Sequence, residues 1–195
     1  MGPTLRTLSQ RFQRFSPLLA ATAALLLSQG QAKALMTYDI YESAGNVVVQ
    51  ASGSLDLSTT SSGFSSECAT APGGYIESAS AIICTGTEIA SPAFTIDGPS
   101  SFNGSVNIAP ASSVSGILTG IAFGSALLID PSYIYNTPIV SRATYNGQTL
   151  ASLGFTTTGL IGTWTINGTS ESIQVGPTEK DRSIAAQLVS AAESR

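Results

Sequence analysis

The chain has 195 residues, 43% hydrophobic and only 10% charged, with eight basic side chains, twelve acidic ones and no histidine. So few cations exclude a nucleic-acid surface, which needs clustered Lys or Arg against phosphate, and disfavour anionic lipid headgroups for the same reason. Without histidine, Ser-His and Cys-His nucleophile pairs are excluded, and a typical zinc site loses its commonest ligand.

In chain order, Arg6, Arg11 and Arg14 precede an apolar run from Leu18 to Leu27. Ala32-Lys33-Ala34 then puts small residues at −3 and −1 of a cleavage point. That is the layout of a secretory signal. The run is about ten residues, too short for a bilayer, which needs roughly 20. The expectation is a signal peptide over 1–34 and a mature protein beginning at Leu35, secreted or at the cell surface, with no membrane span left after cleavage. Cleavage would remove Arg6, Arg11, Arg14 and Lys33, leaving four cations against twelve acids, a net charge of about −8. The remaining 161 residues (195 minus 34) make one domain, predicted over 35–176, with a tail over 177–195.

Thr37 to Glu42 is rich in Tyr and Ile, and Ala44-Gly45-Asn46 supplies a turn. From Val47 to Leu57 the apolar residues Val47, Val49, Ala51, Leu55 and Leu57 alternate with polar ones. The period of two predicts a half-buried strand, and the two segments an N-terminal hairpin. Ser58 to Gly74 reads as a Ser/Thr/Gly-rich connection carrying Cys68. Tyr75 to Cys84 and Ala93 to Ile96 read as strands, and the turn residues Asp97 to Ser101 end the second of them. Ile117 to Ile129 is almost wholly apolar but contains Gly120 and Gly124. Each glycine would weaken a helix, so one or two buried strands are predicted, ended by Asp130-Pro131.

The last hairpin joins Trp164 and Ile166 on one arm to Ile173 and Val175 on the other. Asn167-Gly168 suits a two-residue turn, but that register sets Glu171 opposite Trp164 on the apolar face. A four-residue loop through Ser170 sets Ile173 opposite Trp164 and moves Glu171 to the loop edge. The second register is expected, because burying an unpaired carboxylate is costly. Beyond Pro177, Ile184, Ala185, Leu188, Val189 and Ala192 recur at helical spacing, with Thr178 able to cap. A short C-terminal helix is predicted.

Cys68 and Cys84 are the only cysteines. An exported chain meets an oxidising compartment, so a disulfide between them is expected, worth roughly 3 kcal/mol by the chain-entropy model. The fold class these segments imply is all-β, an antiparallel β-sandwich or jelly-roll-like domain with a short C-terminal helix.

Tyr133-Ile134-Tyr135-Asn136-Thr137-Pro138 is followed by Ala143-Thr144-Tyr145-Asn146, Leu150-Ala151-Ser152-Leu153-Gly154-Phe155-Thr156, Gly162-Thr163-Trp164-Thr165 and Glu171-Ser172-Ile173-Gln174-Val175-Gly176. This succession resembles the ectodomains of exported bacterial proteins with a PEP-CTERM sorting signal. The opening, Gly45-Asn46-Val47-Val48 and Ser52-Gly53-Ser54-Leu55, is similar to theirs as well. The resemblance spans roughly Thr37 to Gly176. It implies a surface or extracellular-matrix setting, often linked to exopolysaccharide, and brings no catalytic residues with it. Family members continue with Val-Pro-Glu-Pro, an apolar span and an Arg cluster. Here Val175-Gly176-Pro177-Thr178-Glu179 leads to a charged segment, so the sorting signal is missing or eroded and free secretion is expected.

Chemistry has few footholds. Asp39, Glu42, Glu77, Glu88 and Asp97 could supply the two carboxylates of a glycosidase, but nothing in their spacing pairs them, and solvated surface acids are expected. Asp56, Asp97 or Asp130 could offer oxygens to calcium, although no calcium-loop motif is present. Tyr133 and Tyr135, two apart, would share a strand face and could stack on sugar rings; the plainer expectation is that they fill the core beside Phe155 and Trp164. Asn103-Gly104-Ser105 and Asn167-Gly168-Thr169 match the glycosylation pattern, as turn sequences often do. The expected protein is exported and non-enzymatic, without cofactor or metal. Its expected partners are extracellular polysaccharide or other surface proteins, with a carbohydrate-binding module as the alternative.

Overall fold

A computed structural model describes residues 34–178 apart from 66, 70–73, 88 and 157. The signal segment, the C-terminal helix beyond Thr178 and Glu88 therefore lie outside the described residues. The strands are β1 (Leu35–Ser43), β2 (Asn46–Gly53), β3 (Ser62–Ser65), β4 (Tyr75–Glu77), β5 (Ile82–Thr85), β6 (Ser91–Asp97) and β7 (Ala109–Pro110). They continue with β8 (Ser113–Gly116), β9 (Thr119–Ala122), β10 (Ala126–Ile129), β11 (Ile139–Asn146), β12 (Gly162–Ile166) and β13 (Ser172–Pro177). Single 3-10 turns occupy Glu67–Ala69 and Ser78–Ser80.

The N-terminal hairpin forms as the alternation requires. Ser43 pairs with Asn46, and Ala44 (φ 50°) and Gly45 (φ 77°) make a two-residue turn with both central residues left-handed, the geometry that matches strand twist. β2 stops at Gly53, earlier than the alternation to Leu57 predicts. Gly53 has φ 126°, and a Cβ there would collide with the Leu35 backbone, so the chain turns away. Leu55 and Leu57 still reach the core. The apolar run 117–129 becomes two strands, β9 and β10, joined through Phe123 (φ 53°) and Gly124 (φ 64°). Tyr75 to Cys84 is two strands as well. The Ser78–Ser80 turn and a left-handed Ala81 (φ 48°) separate β4 from β5.

The strands follow one hydrogen-bonded path, β7-β4-β5-β9-β10-β6-β12-β13-β1-β2-β11-β8, with β3 attached to β6. The all-β class is what the sequence led us to expect; the architecture is one large curled sheet. Pairing is antiparallel except between β1 and β13, which run parallel, where an antiparallel neighbour was expected. Curling brings distant strands face to face. Tyr38 Oη on β1 lies 2.6 Å from Thr119 Oγ1 on β9, and Thr85 Oγ1 on β5 lies 2.7 Å from Ser141 Oγ on β11, all four residues buried. The interior gathers Met36, Tyr38, Ile40, Ile83, Ile121, Leu127, Trp164, Ile173 and Val175 in one cluster.

The two ends of the path are one piece of chain. β7 pairs with β4, and β8 pairs with β11. Only Ala111 and Ser112 separate β7 from β8, and their amides reach opposite ways, Ala111 N to Gly74 O at 2.9 Å and Ser112 N to Thr144 O at 2.7 Å. A terminal strand presents unpaired amides and carbonyls that invite aggregation; residues 109–116 occupy both termini at once.

A smaller cluster lies apart from the main interior: Cys68, Ile82, Cys84, Leu118, Ala122 and Leu128. It explains the unbroken apolar run. β9 and β10 alternate into the main core through Ile121, Leu127 and Ile129 and into the second cluster through Ala122 and Leu128, joined by Leu118 just before β9, so both faces are buried and both must be apolar. The expected disulfide forms between Cys68 and Cys84 within this cluster, with Cα atoms 5.6 Å apart. Gly120 passes beneath it, where a Cβ would lie 2.6 Å from Cys68 Sγ.

Candidate functional site

The segment between β10 and β11 carries both candidate tyrosines, and it is a pair of turns rather than the strand that a spacing of two suggested. Asp130-Pro131 starts the first turn. The Asp130 carboxylate accepts from Ser132 N at 2.8 Å and Ser132 Oγ at 2.6 Å, and Tyr133 N donates to Asp130 O at 2.9 Å. Asp at the first position and Pro at the second suit a type I turn. The second turn closes with Thr137 N donating to Ile134 O at 3.1 Å, while Asn136 takes a left-handed φ of 64°.

Tyr133 and Tyr135 come together, with ring centroids 6.2 Å apart and planes inclined by 56°. They do not fill the core beside Phe155 and Trp164. Phe102 takes that place, 6.4 Å from Phe155 and edge-on to Trp164 at 5.7 Å. Tyr133 is half-buried against the edge of the core. Its hydroxyl accepts from Leu55 N at 3.0 Å and lies within donating distance of Thr137 O at 2.9 Å and Leu55 O at 3.2 Å. Asn136 N donates to Leu55 O at 2.9 Å. The chain just after β2 thus clamps the tyrosine loop in place. Tyr135 and Ile134 stand out from it, 41% and 71% exposed.

Two carboxylates flank this loop, and sequence reasoning had not paired them. The β12–β13 register is the expected one, Trp164 opposite Ile173. Its loop edge nevertheless fails to keep Glu171 in water: the residue is only 8% exposed. The segment after β2 folds over it, and Asp56 N donates to Glu171 Oε2 at 3.3 Å. Burial pushes the Glu171 carboxyl above its ordinary value, with the Asp56 charge adding to the rise and the Asp56 amide opposing it. Asp56 moves the other way. The Ser58 hydroxyl, the Ser58 amide at 3.0 Å and the Asn136 side chain hold its charged form and lower its pKa. The Tyr133 phenol is raised by burial first, and by both neighbouring carboxylates.

Glu67 and Glu77 both flank Tyr75, whose hydroxyl donates to Glu67 Oε1 at 2.6 Å; the remaining candidate acids are dispersed. Asp39 and Glu42 lie on β1, Glu77 on β4 and Asp97 at the end of β6. Glu42 Oε1 accepts from Leu150 N at 2.8 Å, and Glu77 Oε1 from Ser80 Oγ at 2.5 Å. Of the calcium candidates, Asp56 and Asp130 spend their carboxylates on nearby turns. Among the described residues, no three His, Cys, Asp or Glu side chains converge as metal ligands, and no helix is long and apolar enough to cross a membrane.

No protein-family model, curated protein or solved structure matches this chain.

Proposed function

We propose that this protein is exported and serves as a non-enzymatic surface or extracellular-matrix component associated with exopolysaccharide. The observation that carries the reading is the Cys68–Cys84 bond, seated in its own apolar cluster over β9 and β10. Such bonds persist in oxidising compartments and are rare in the cytosol. The leader-like first 34 residues, the scarcity of charge and the resemblance to PEP-CTERM ectodomains support the same setting. The test is fractionation of the producing cell, with intact-mass measurement of what is recovered. A chain beginning at Leu35, with Cys68 linked to Cys84, is expected in the medium, envelope or polysaccharide fraction. A cytosolic pool that retains Met1 and two alkylatable thiols would overturn the reading.

A carbohydrate-binding module is the second reading, and the exposure of Tyr135 favours it. The Tyr135 ring, exposed beside the Tyr133 ring, offers a flat apolar face on which a sugar ring can stack. On a glycan array, Tyr135→Ala should abolish saturable binding; an unchanged binding profile would remove this reading.

A further inference from the structure

On the outer face of β1 and β13 lies a half-open cavity of about 190 Å3, bounded by Thr37, Asp39, Gln174, Gly176, Leu160 and Thr178 together with the strand backbone. The parallel register creates it. Thr37 is level with Gln174 and Asp39 with Gly176. Met36, Tyr38, Ile173 and Val175 point into the core, so Thr37, Asp39 and Gln174 point outward. Gly176 leaves a gap in that outer row, and the loop at Gly159-Leu160 descends onto it. A Cβ on Gly176 would strike Gly159 O, Gly159 N donates to Pro177 O at 2.8 Å, and Leu160 overhangs the cavity while 63% exposed.

The cavity continues into an uncharged polar row. Thr163, Gln174, Thr37 and Ser52 are in register across β12, β13, β1 and β2, and Thr37 Oγ1 lies 3.2 Å from Ser52 Oγ. At a strand spacing of ~4.8 Å this row is about 14 Å long.

We infer that the cavity binds one ring of a neutral sugar, with the rest of a glycan lying along the row. The Gln174 amide and the Thr37 hydroxyl can each donate and accept, as sugar hydroxyls require. Leu160 offers an apolar surface for the C–H face of the ring. Among the described lining residues there is no lysine or arginine, so these residues offer a sugar acid no ion pair. The volume is below the roughly 300–1,000 Å3 of pockets for drug-sized ligands, and it suits a single ring. The inference does not rest on export, and its site is separate from Tyr133 and Tyr135.

The test is titration of the 15N-labelled intact chain with millimolar glucose, galactose and N-acetylglucosamine, with glucuronate as the charged comparison. Saturable amide shifts are expected at Thr37, Asp39, Leu160, Gln174 and Gly176 for at least one neutral sugar, with glucuronate weaker. Gln174→Ala and Thr37→Val, both on the outer face and outside the core, should each weaken binding about tenfold, the equivalent of one lost hydrogen bond. The inference is overturned if no neutral sugar shifts these amides, if the shifts fall on Tyr133 to Asn136 instead, or if glucuronate binds more tightly.

Discussion

Replacing Cys68 and Cys84 together by alanine tests the reasoning about stability most directly. The bond closes a loop with a sequence separation of 16, and that loop contains β4 and the Ser78–Ser80 turn. Releasing it restores freedom to the unfolded chain worth about 3 kcal/mol in the chain-entropy model, a large share of the ~5–15 kcal/mol that holds a typical domain folded. Alanine is preferable to serine, because both cysteines are buried in an apolar cluster where a hydroxyl would find no partner. The assay is urea unfolding followed by the fluorescence of Trp164, the chain's single tryptophan, which is fully buried with its indole N–H 3.1 Å from Pro99 O. With a urea slope of about 2 kcal/mol/M, the midpoint should fall by roughly 1.5 M. Wild-type protein treated with reductant should fall by a similar amount. A loss under about 1 kcal/mol in both would refute the argument, since it would mean that the segment carrying Cys68 is already held against β5 when the rest is unfolded.

Three further outcomes rest on the same geometry. Glu171, raised by burial, binds its proton more readily in the folded state, so its contribution to stability is full at low pH and is lost as pH climbs through the raised value. Asp56, lowered by Ser58 and Asn136, behaves oppositely and loses its contribution as pH falls. Glu171→Gln should therefore raise the urea midpoint at pH 7, and the gain should vanish below about pH 4; a pH-independent effect would refute the sign. Tyr133→Phe leaves Leu55 N without its side-chain acceptor and should cost about 1–3 kcal/mol; hydrogen exchange at Leu55 and Asn136 should accelerate if the clamp is real. Gly98→Ala drives a methyl into the Trp164 ring and should lower the melting temperature by roughly 3–9 °C, given ~1–3 kcal/mol for overpacking; an unchanged melting temperature would show that the ring can move aside.

Local signals in the sequence carried the local structure. The turn at Ala44-Gly45, the register that sets Trp164 against Ile173 and the two-sided burial of β9 and β10 are all visible in alternation and turn chemistry. What depends on distant partners was not visible. β3, Ser62 to Ser65, has no alternation of its own and exists because β6 pairs with it. The parallel contact of β1 with β13 joins segments more than 130 residues apart and has no local signature. The tyrosine spacing misled because a period of two implies a shared face only inside a strand; Asp130-Pro131 and Asn136 were the turn signals that should have outweighed it. Glu171 was assigned to water on the premise that loop edges are wet. The premise failed because the segment after β2, remote in sequence, folds over that edge and supplies an amide. The carboxylate pair with Asp56 was unreadable for the same reason.

Residues 109–116 act as a buckle on a belt, fastening one end of the sheet to the other. The fastening is by chain connection, so each end strand still has one edge open to backbone recognition. Among the described strands β3, β7 and β8 each pair on one side alone, and Phe64 of β3 is turned out to solvent. The longest of these edges is four residues, so a second chain that docks on one by backbone pairing gains a short ladder at most.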